Sequence, residues 1–267
     1  SFRNNAIEFH KRVMIQALTS VAPGKVRFTC IDPVGLGDSL SDFMHLADFD
    51  PRLITDRIWT EKSHIERVLA DTVAHMENVI QKYLRNDYNS IQDYNREAGE
   101  ISEPFRFIVI NDFPRGFSEL SLESLSSIIT SGSRCGVYVM IHVDQSLNLP
   151  AKFDPSLLET DSVQFEVHEN QLSVIGPDGS SIDIATNPLP EPHQITAVMK
   201  KIGELAIDAS RVEVPFSAIR PEKLWSKTCD EELVIPLGRS GAKNMQSIRL
   251  GRGTSQHALI EIGRAHV

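Results

Sequence analysis

Three short, almost wholly apolar runs punctuate the first half of this chain: VRFTCI at residues 26–31, FRFIVI at 105–110 and GVYVMIHV at 136–143. Such runs, bounded by turn residues and lacking strict alternation, suit strands buried on both faces, as in a parallel sheet covered by helices. The segments between them have helical periodicity. Residues 5–20 place Ile7, Val13, Met14, Ala17 and Leu18 on one side, and Pro23-Gly24 ends that helix. Residues 61–85 carry a single stripe of Ile65, Val68, Leu69, Val73, Met76, Val79, Ile80, Tyr83 and Leu84, opposite a charged face. Ser63 and Glu66 have capping-box spacing at its start. Residues 118–130 turn Leu122, Leu125, Ile128 and Ile129 inward. Helix, strand, helix, strand, helix, strand over residues 1–145 predicts a three-layer α/β sheet with right-handed crossovers.

Composition changes after Pro150. Residues 163–167, 172–175 and 181–184 read as short strands, with Gly176-Pro177-Asp178-Gly179 as a tight turn. Pro188, Pro190 and Pro192 make a stiff connector, and residues 194–209 form a helix with Ile195, Val198, Met199, Ile202, Leu205 and Ala206 on one side. Mixed linker at 215–230 leads to further strands. Trp59 and Trp225 are expected to be packing anchors.

The net charge is −9, which gives no footprint for wholesale nucleic-acid binding, although a few basic residues could still line a pore. Cys30, Cys135 and Cys229 show no metal spacing and read as reduced thiols; the first two sit in or beside apolar runs, where a free Cys packs as a small hydrophobe. No run approaches the ~18 apolar residues of a membrane span. The expectation is a cytoplasmic segment without membrane contact, leaving open whether a parent protein is anchored. His142 lies on an apolar run and reads as a core residue rather than a ligand.

The run FRFIVI leads straight into Asn111-Asp112-Phe113. A buried strand that closes in acidic residues puts them at the carboxyl edge of the sheet, where Mg²⁺ and an attacking water sit in phosphoryl transfer. An Asp there also caps an ordinary turn, and the strand alone does not separate the two readings. Its neighbours form an ordered set. VRFTCIDPVGLG resembles the strand after the P-loop helix in the FtsK/SpoIIIE family. HMENVIQKYLRNDYNSIQDYNREAGEISEPFRFIVINDF resembles that family's long helix, linker and Walker B strand, and SRCGVYVMIHVDQS resembles its sensor strand and turn. The match spans roughly residues 5–150.

The resemblance implies a RecA-like P-loop ATPase core that uses ATP and Mg²⁺, a homo-hexameric ring in the intact protein, and a cargo of DNA or secreted protein. It implies Asn111 and Asp112 as the catalytic pair, with Asn111 at the metal position, and Asp144 or Gln145 at the nucleotide-sensing position. Two departures matter. The family pattern is Asp-Glu, whereas Asn111 offers a neutral oxygen to a hard dication and Asp112 is one methylene short of a Glu base. No G-x-x-x-x-G-K-[ST] occurs; GRSGAK at 238–243 reads as a hairpin turn, and Gly35-Leu36-Gly37 as a strand-to-loop turn. Arg134 reads as a surface ion-pair partner or as a trans-acting arginine finger.

The expected organisation is a partial, degenerate FtsK-like ATPase domain at 1–150 and a β-rich and helical connector at 151–230. The first strands of a second ATPase domain follow at 231–260, stopping before its phosphate loop. EIGRAHV at 261–267 matches a translated sequencing adapter and is read as a remnant of one, making the chain an internal fragment. The function expected from this resemblance is an ATP-driven translocase that moves DNA through a ring, with this domain catalytically degenerate; the alternatives are a type VII-like secretion ATPase and a non-catalytic module bracing an active neighbour.

Overall fold

The computed structural model describes residues 2–251 apart from 56, 86, 169–170, 177, 186, 210–215, 222, 227, 229 and 241–243. Cys229, Pro177, the GAK of GRSGAK, the strand expected near residue 260 and the adapter-like tail all lie outside the described residues. In chain order come α1 (Phe2–Ser20), β1 (Val26–Ile31), α2 (Lys62–Val79), α3 (Ile91–Ala98), β2 (Phe105–Phe113), α4 (Glu119–Ser131) and β3 (Val137–Val143). The three strands form one sheet in the order β1-β2-β3, parallel throughout. Ile31 pairs with Ile110, Ile110 with Ile141 and Phe113 with Val143, so the three carboxyl ends lie together.

Side chains alternate across these strands. Phe28 and Cys30 of β1 and Val109 of β2 enter a core with Met14 and Leu18 of α1. The same core takes Ile195, Met199, Ile202 and Ala206 from α5 (Pro192–Ala209), and Leu40, Phe43 and Leu46 from a 3₁₀ segment, Asp38–Leu46. Full burial of each Leu, Ile, Val, Met or Phe among them stabilises by about 1.5–3 kcal/mol. Ile31, Ile108 and Ile110 have the opposite parity and are also buried, as the apolar runs predict. On that side α2 packs on α4 and α4 on β3. The outer edge of β1 is covered: Ile54 and Trp59 bridge in parallel to Phe28 and Ile31. Leu53 and Trp59 carbonyls accept the amides of Phe28 and Asp32 at 2.8 and 2.9 Å. These bonds occupy outward-facing amides along the β1 edge that would otherwise be open to another strand.

Three sequence expectations are corrected. Helix α2 begins at Lys62 with Glu61 as its N-cap, and the amides of His64 and Ile65 take the Glu61 carbonyl. Ser63 and Glu66 therefore lie inside the helix and form no capping box; the reciprocal box occurs at α4, between Ser118 and Ser121. Trp59 is buried, with the guanidinium groups of Arg57 and Arg67 each 5.6 Å from its ring centre, but Trp225 is 95% exposed among the described residues rather than packed. Leu205 is 41% exposed, because the buried stripe of α5 runs through Ile195, Met199, Ile202, Gly203 and Ala206.

Strands β4 (Gln164–His168), β5 (Gln171–Ile175) and β6 (Ser181–Ile184) make an antiparallel sheet. Phe165 of β4 meets Phe9 of α1 with ring centres 4.4 Å apart. A second compact unit comprises residues 95–101 and those from 212 onward. Its described part includes an antiparallel hairpin of β7 (Leu233–Ser240) and β8 (Asn244–Leu250).

Candidate functional site

Strand β2 does not end at Ile110. It continues through Asn111 and Asp112 to Phe113, with a register irregularity between Ile110 and Phe113 and left-handed backbone at Asp112, φ 58°. Asp is among the few side chains that enter this region at modest cost. Asn111 and Asp112 are both buried, and both meet α1.

Arg3, in the first turn of α1, is central. Its Nε lies 2.9 Å from Asp112 Oδ1 and 2.8 Å from Oδ2, and its Nη2 lies 2.8 Å from Asp32 Oδ1. Asp32 follows directly on β1 and is fully buried. Its Oδ1 also accepts the Gly35 amide at 2.9 Å, and its Oδ2 accepts the Ser39 hydroxyl. Two carboxylates removed from water thus share one guanidinium, the group best shaped to serve more than one acceptor. Gly35 is required by this packing, since a Cβ there would stand 2.4 Å from Asp32 Oδ2 and 2.8 Å from Arg3 Nη2. The Gly35-Leu36-Gly37 turn therefore cradles a charge cluster rather than a phosphate. Beside Arg3 opens a cleft of about 460 Å³, lined also by Lys11, Ser39, Asp42 and Pro190.

His10 sits two turns further along α1, on the same face as Arg3. Its Nδ1 is 2.9 Å from Asn111 Oδ1. Burial pushes its pKa down to about 4, against the raising effect of that hydrogen bond, with His142 adding to the depression. The ring is therefore neutral and donates from Nδ1, while Asn111 Nδ2 is buried without a partner among the described residues. His142, on β3, faces Asp112 from the other side. Its Nδ1 accepts the Asp112 amide at 3.2 Å and lies 3.5 Å from Asp112 Oδ1. Burial holds the His142 pKa below its usual value, Asp112 opposes this and Arg3 reinforces it. An Nδ1 that accepts a backbone N–H carries no proton, so this contact is a hydrogen bond of a neutral ring rather than an ion pair.

The two sensor candidates lie at the same sheet edge but outside this cluster. Asp144 accepts Arg115 Nε and Nη2, both at 3.1 Å, through Oδ2, and the Ser146 amide at 3.0 Å through Oδ1. The Ser146 bonds first, then Arg115, hold its carboxyl below the usual range. Gln145 is exposed. Arg134 makes a backbone hydrogen bond, Nε to the Asn89 carbonyl at 2.7 Å. The sequence pointed to Asn111 and Asp112 but missed Arg3, His10 and Asp32. The available signal was the 3, 7, 10, 14 spacing of Arg3, Ile7, His10 and Met14, which places two polar groups on the buried stripe of α1.

These residues do not fit a magnesium ion as they stand. Mg²⁺ demands oxygen ligands at about 2.1 Å in octahedral geometry. Both oxygens of Asp112 are covered by Arg3, both of Asp32 are engaged, and Asn111 Oδ1 accepts from His10. Asp112 is equally unsuited to receive a proton from water while a guanidinium holds it.

Known proteins resemble this chain in two ways. The FtsK/SpoIIIE family model matches residues 9–219, a range that includes His10, Asp32, Asn111 and Asp112 and begins after Arg3. Among solved structures, EssC (ATPases 2 and 3) from Geobacillus thermodenitrificans is similar at 12% identity and a TM-score of 0.56, over 90% of this chain and 50% of that one. EccC (ATPases 2 and 3) from Thermomonospora curvata, solved in complex with a signal sequence peptide, is similar at 15% identity and a TM-score of 0.51, over 89% and 47%. The chain thus spans about half the length of the solved structures it matches. No curated protein matches it. No helix among the described residues is long and apolar enough to cross a membrane. The parallel sheet, the acids at its carboxyl edge and these likenesses give a RecA-like P-loop ATPase fold, and the chain belongs to the FtsK/SpoIIIE family.

Proposed function

We propose that this chain is part of an ATP-driven ring motor of the FtsK/SpoIIIE type, and that the module built on β1–β3 is its non-hydrolysing member. The single observation that carries this reading is the hold of Arg3 on both oxygens of Asp112. A side-chain cation stands where Mg²⁺ would need to meet the acid, and the neighbouring metal position is a neutral Asn111. The module's work is then conformational: it braces a ring in which ATP and Mg²⁺ act at other sites. The polymer moved is read as a polypeptide rather than DNA. The net charge of −9 disfavours a duplex track, and one structural neighbour was solved with a signal sequence peptide.

The test is steady-state ATP hydrolysis by the full-length protein carrying Asp112→Asn. The expected rate is within twofold of wild type, because Asp112 performs no chemistry. A fall of tenfold or more, with unchanged circular dichroism, would overturn the reading. The cargo is tested by duplex-DNA affinity measured against salt: a steep negative slope of log affinity on log salt restores the DNA reading.

A further inference from the structure

A second charged cluster lies at the amino ends of the same strands, on the face that carries α2. Arg27 and Arg106 are the second residues of β1 and β2 and are partners in register. Their Cα atoms are therefore about 4.8 Å apart, with side chains on one face. Arg27 lies five residues before Asp32, roughly 16 Å along an extended strand, so this cluster is separate from the one around Arg3.

His75 of α2 feels the charge of both. Burial, then the charge of Arg106 and of Arg27, push its pKa down to about 4. Burial and then Arg27 hold Arg106 below its ordinary value, and burial does the same to Arg27, with Arg52 adding. The compensating charges are incomplete. Glu103 acts on both arginines, and Asp50 acts on Arg27. Asp50 is already clamped by Arg52, with Nε at 2.9 and 3.0 Å and Nη2 at 2.8 Å. Among the described residues the side chains of Arg27 and Arg106 make no hydrogen bond or ion pair, and the Nε of each and Nε2 of His75 are buried without a partner. Two in-register arginines with unsatisfied nitrogens, and a neutral imidazole within reach of their charge whose Nε2 is likewise unpartnered, make a site with a surplus of donors and positive charge.

We infer that Arg27, Arg106 and His75 form a binding site for a phosphate-class oxyanion. The arginines supply charge and forked donors, and the imidazole supplies a third nitrogen. A tetrahedral dianion has enough acceptor oxygens for three separate nitrogens, which a single carboxylate shares less well. Nothing in this assignment depends on whether the module hydrolyses ATP.

The experiment is a titration of the whole chain with inorganic phosphate, reading the His75 ring protons by NMR, assigned with His75→Gln. Bound phosphate offsets the two cations, so the His75 pKa rises by at least half a unit, saturably. Chloride at matched ionic strength does not reproduce the rise. Arg106→Lys keeps the charge but loses the fork and weakens phosphate binding at least threefold. Arg27→Gln and Arg106→Gln weaken it at least tenfold where circular dichroism reports a folded chain. An equal shift with chloride, a stronger response to acetate than to phosphate, or a response that survives Arg106→Lys undiminished would overturn the assignment.

Discussion

The Nε of Arg3 sits between the two carboxylate oxygens of Asp112, 2.9 Å from one and 2.8 Å from the other, across 109 residues of sequence. The same guanidinium reaches Asp32 through Nη2 at 2.8 Å. Two strands and one helix are thus pinned at a single charge. A buried pair of this kind adds little over an apolar replacement, yet removing one member strands the other in a poor dielectric.

Arg3→Gln leaves Asp32 and Asp112 close together without a cation. Loss of about 2–4 kcal/mol of stability is expected, measured by urea unfolding in EDTA. Millimolar Mg²⁺ should recover part of that loss in the variant and change nothing in the parent chain. The double variant with Asp112→Asn should lose less than the two single losses added together. Additive losses would mean that the pair does not couple.

His10 makes stability depend on pH. Its pKa is about 4 when folded and ordinary when unfolded, so between pH 6.5 and 4 the unfolded chain binds the extra proton. Stability therefore rises with pH across that window and is lost as pH falls through it, by about 3 kcal/mol from this residue. His10→Asn, whose amide can donate to Asn111 without titrating, should make this part of the melting-temperature profile less steep, the remaining slope coming from His75 and His142. Asn111→Asp should act in the opposite sense on the histidine, since a carboxylate at that position favours the imidazolium. Its pKa, followed by NMR, should climb well above 4.

Gly203 tests the packing of α5. In an exposed helix Gly→Ala stabilises by about 1 kcal/mol. Here a Cβ would stand 2.3 Å from Cδ2 of the Phe49 ring and 2.5 Å from its Cγ. The clash outweighs the propensity gain, so Gly203→Ala should destabilise by about 1–3 kcal/mol in chemical denaturation.

Cys30 should be inert. Burial, with Asp32 adding, pushes its thiol up to about 12, and Cys135 is raised by burial too. Iodoacetamide at pH 8 should leave both unmodified in the folded chain and label both in denaturant, as read by peptide mass spectrometry.

Much of the fold was legible because its strongest signals are local. VRFTCI, FRFIVI and GVYVMIHV are apolar enough to announce strands covered on both faces, and they became β1, β2 and β3 of one parallel sheet. Asn111 and Asp112 were legible because they close such a run. Arg3, His10 and Asp32 were not, because their meaning arises from where the fold carries them. Nothing local to Arg3 announces that its partner lies 109 residues on. The misplaced capping box has a related cause: Ser63 and Glu66 have suitable spacing, but the backbone turns helical before Ser63 and its side chain has no free end to cap. Trp225 was assigned by residue type alone, and type does not decide burial where no core surrounds a side chain.

The shared face of α1 has a mechanical corollary. Arg3 and His10 are carried by one rigid rod, so the arginine cannot leave Asp112 by a slide or roll of that rod without the histidine also leaving Asn111. Any movement of this kind unlatches both positions at once, and the two strand-end residues behave as a single two-position catch.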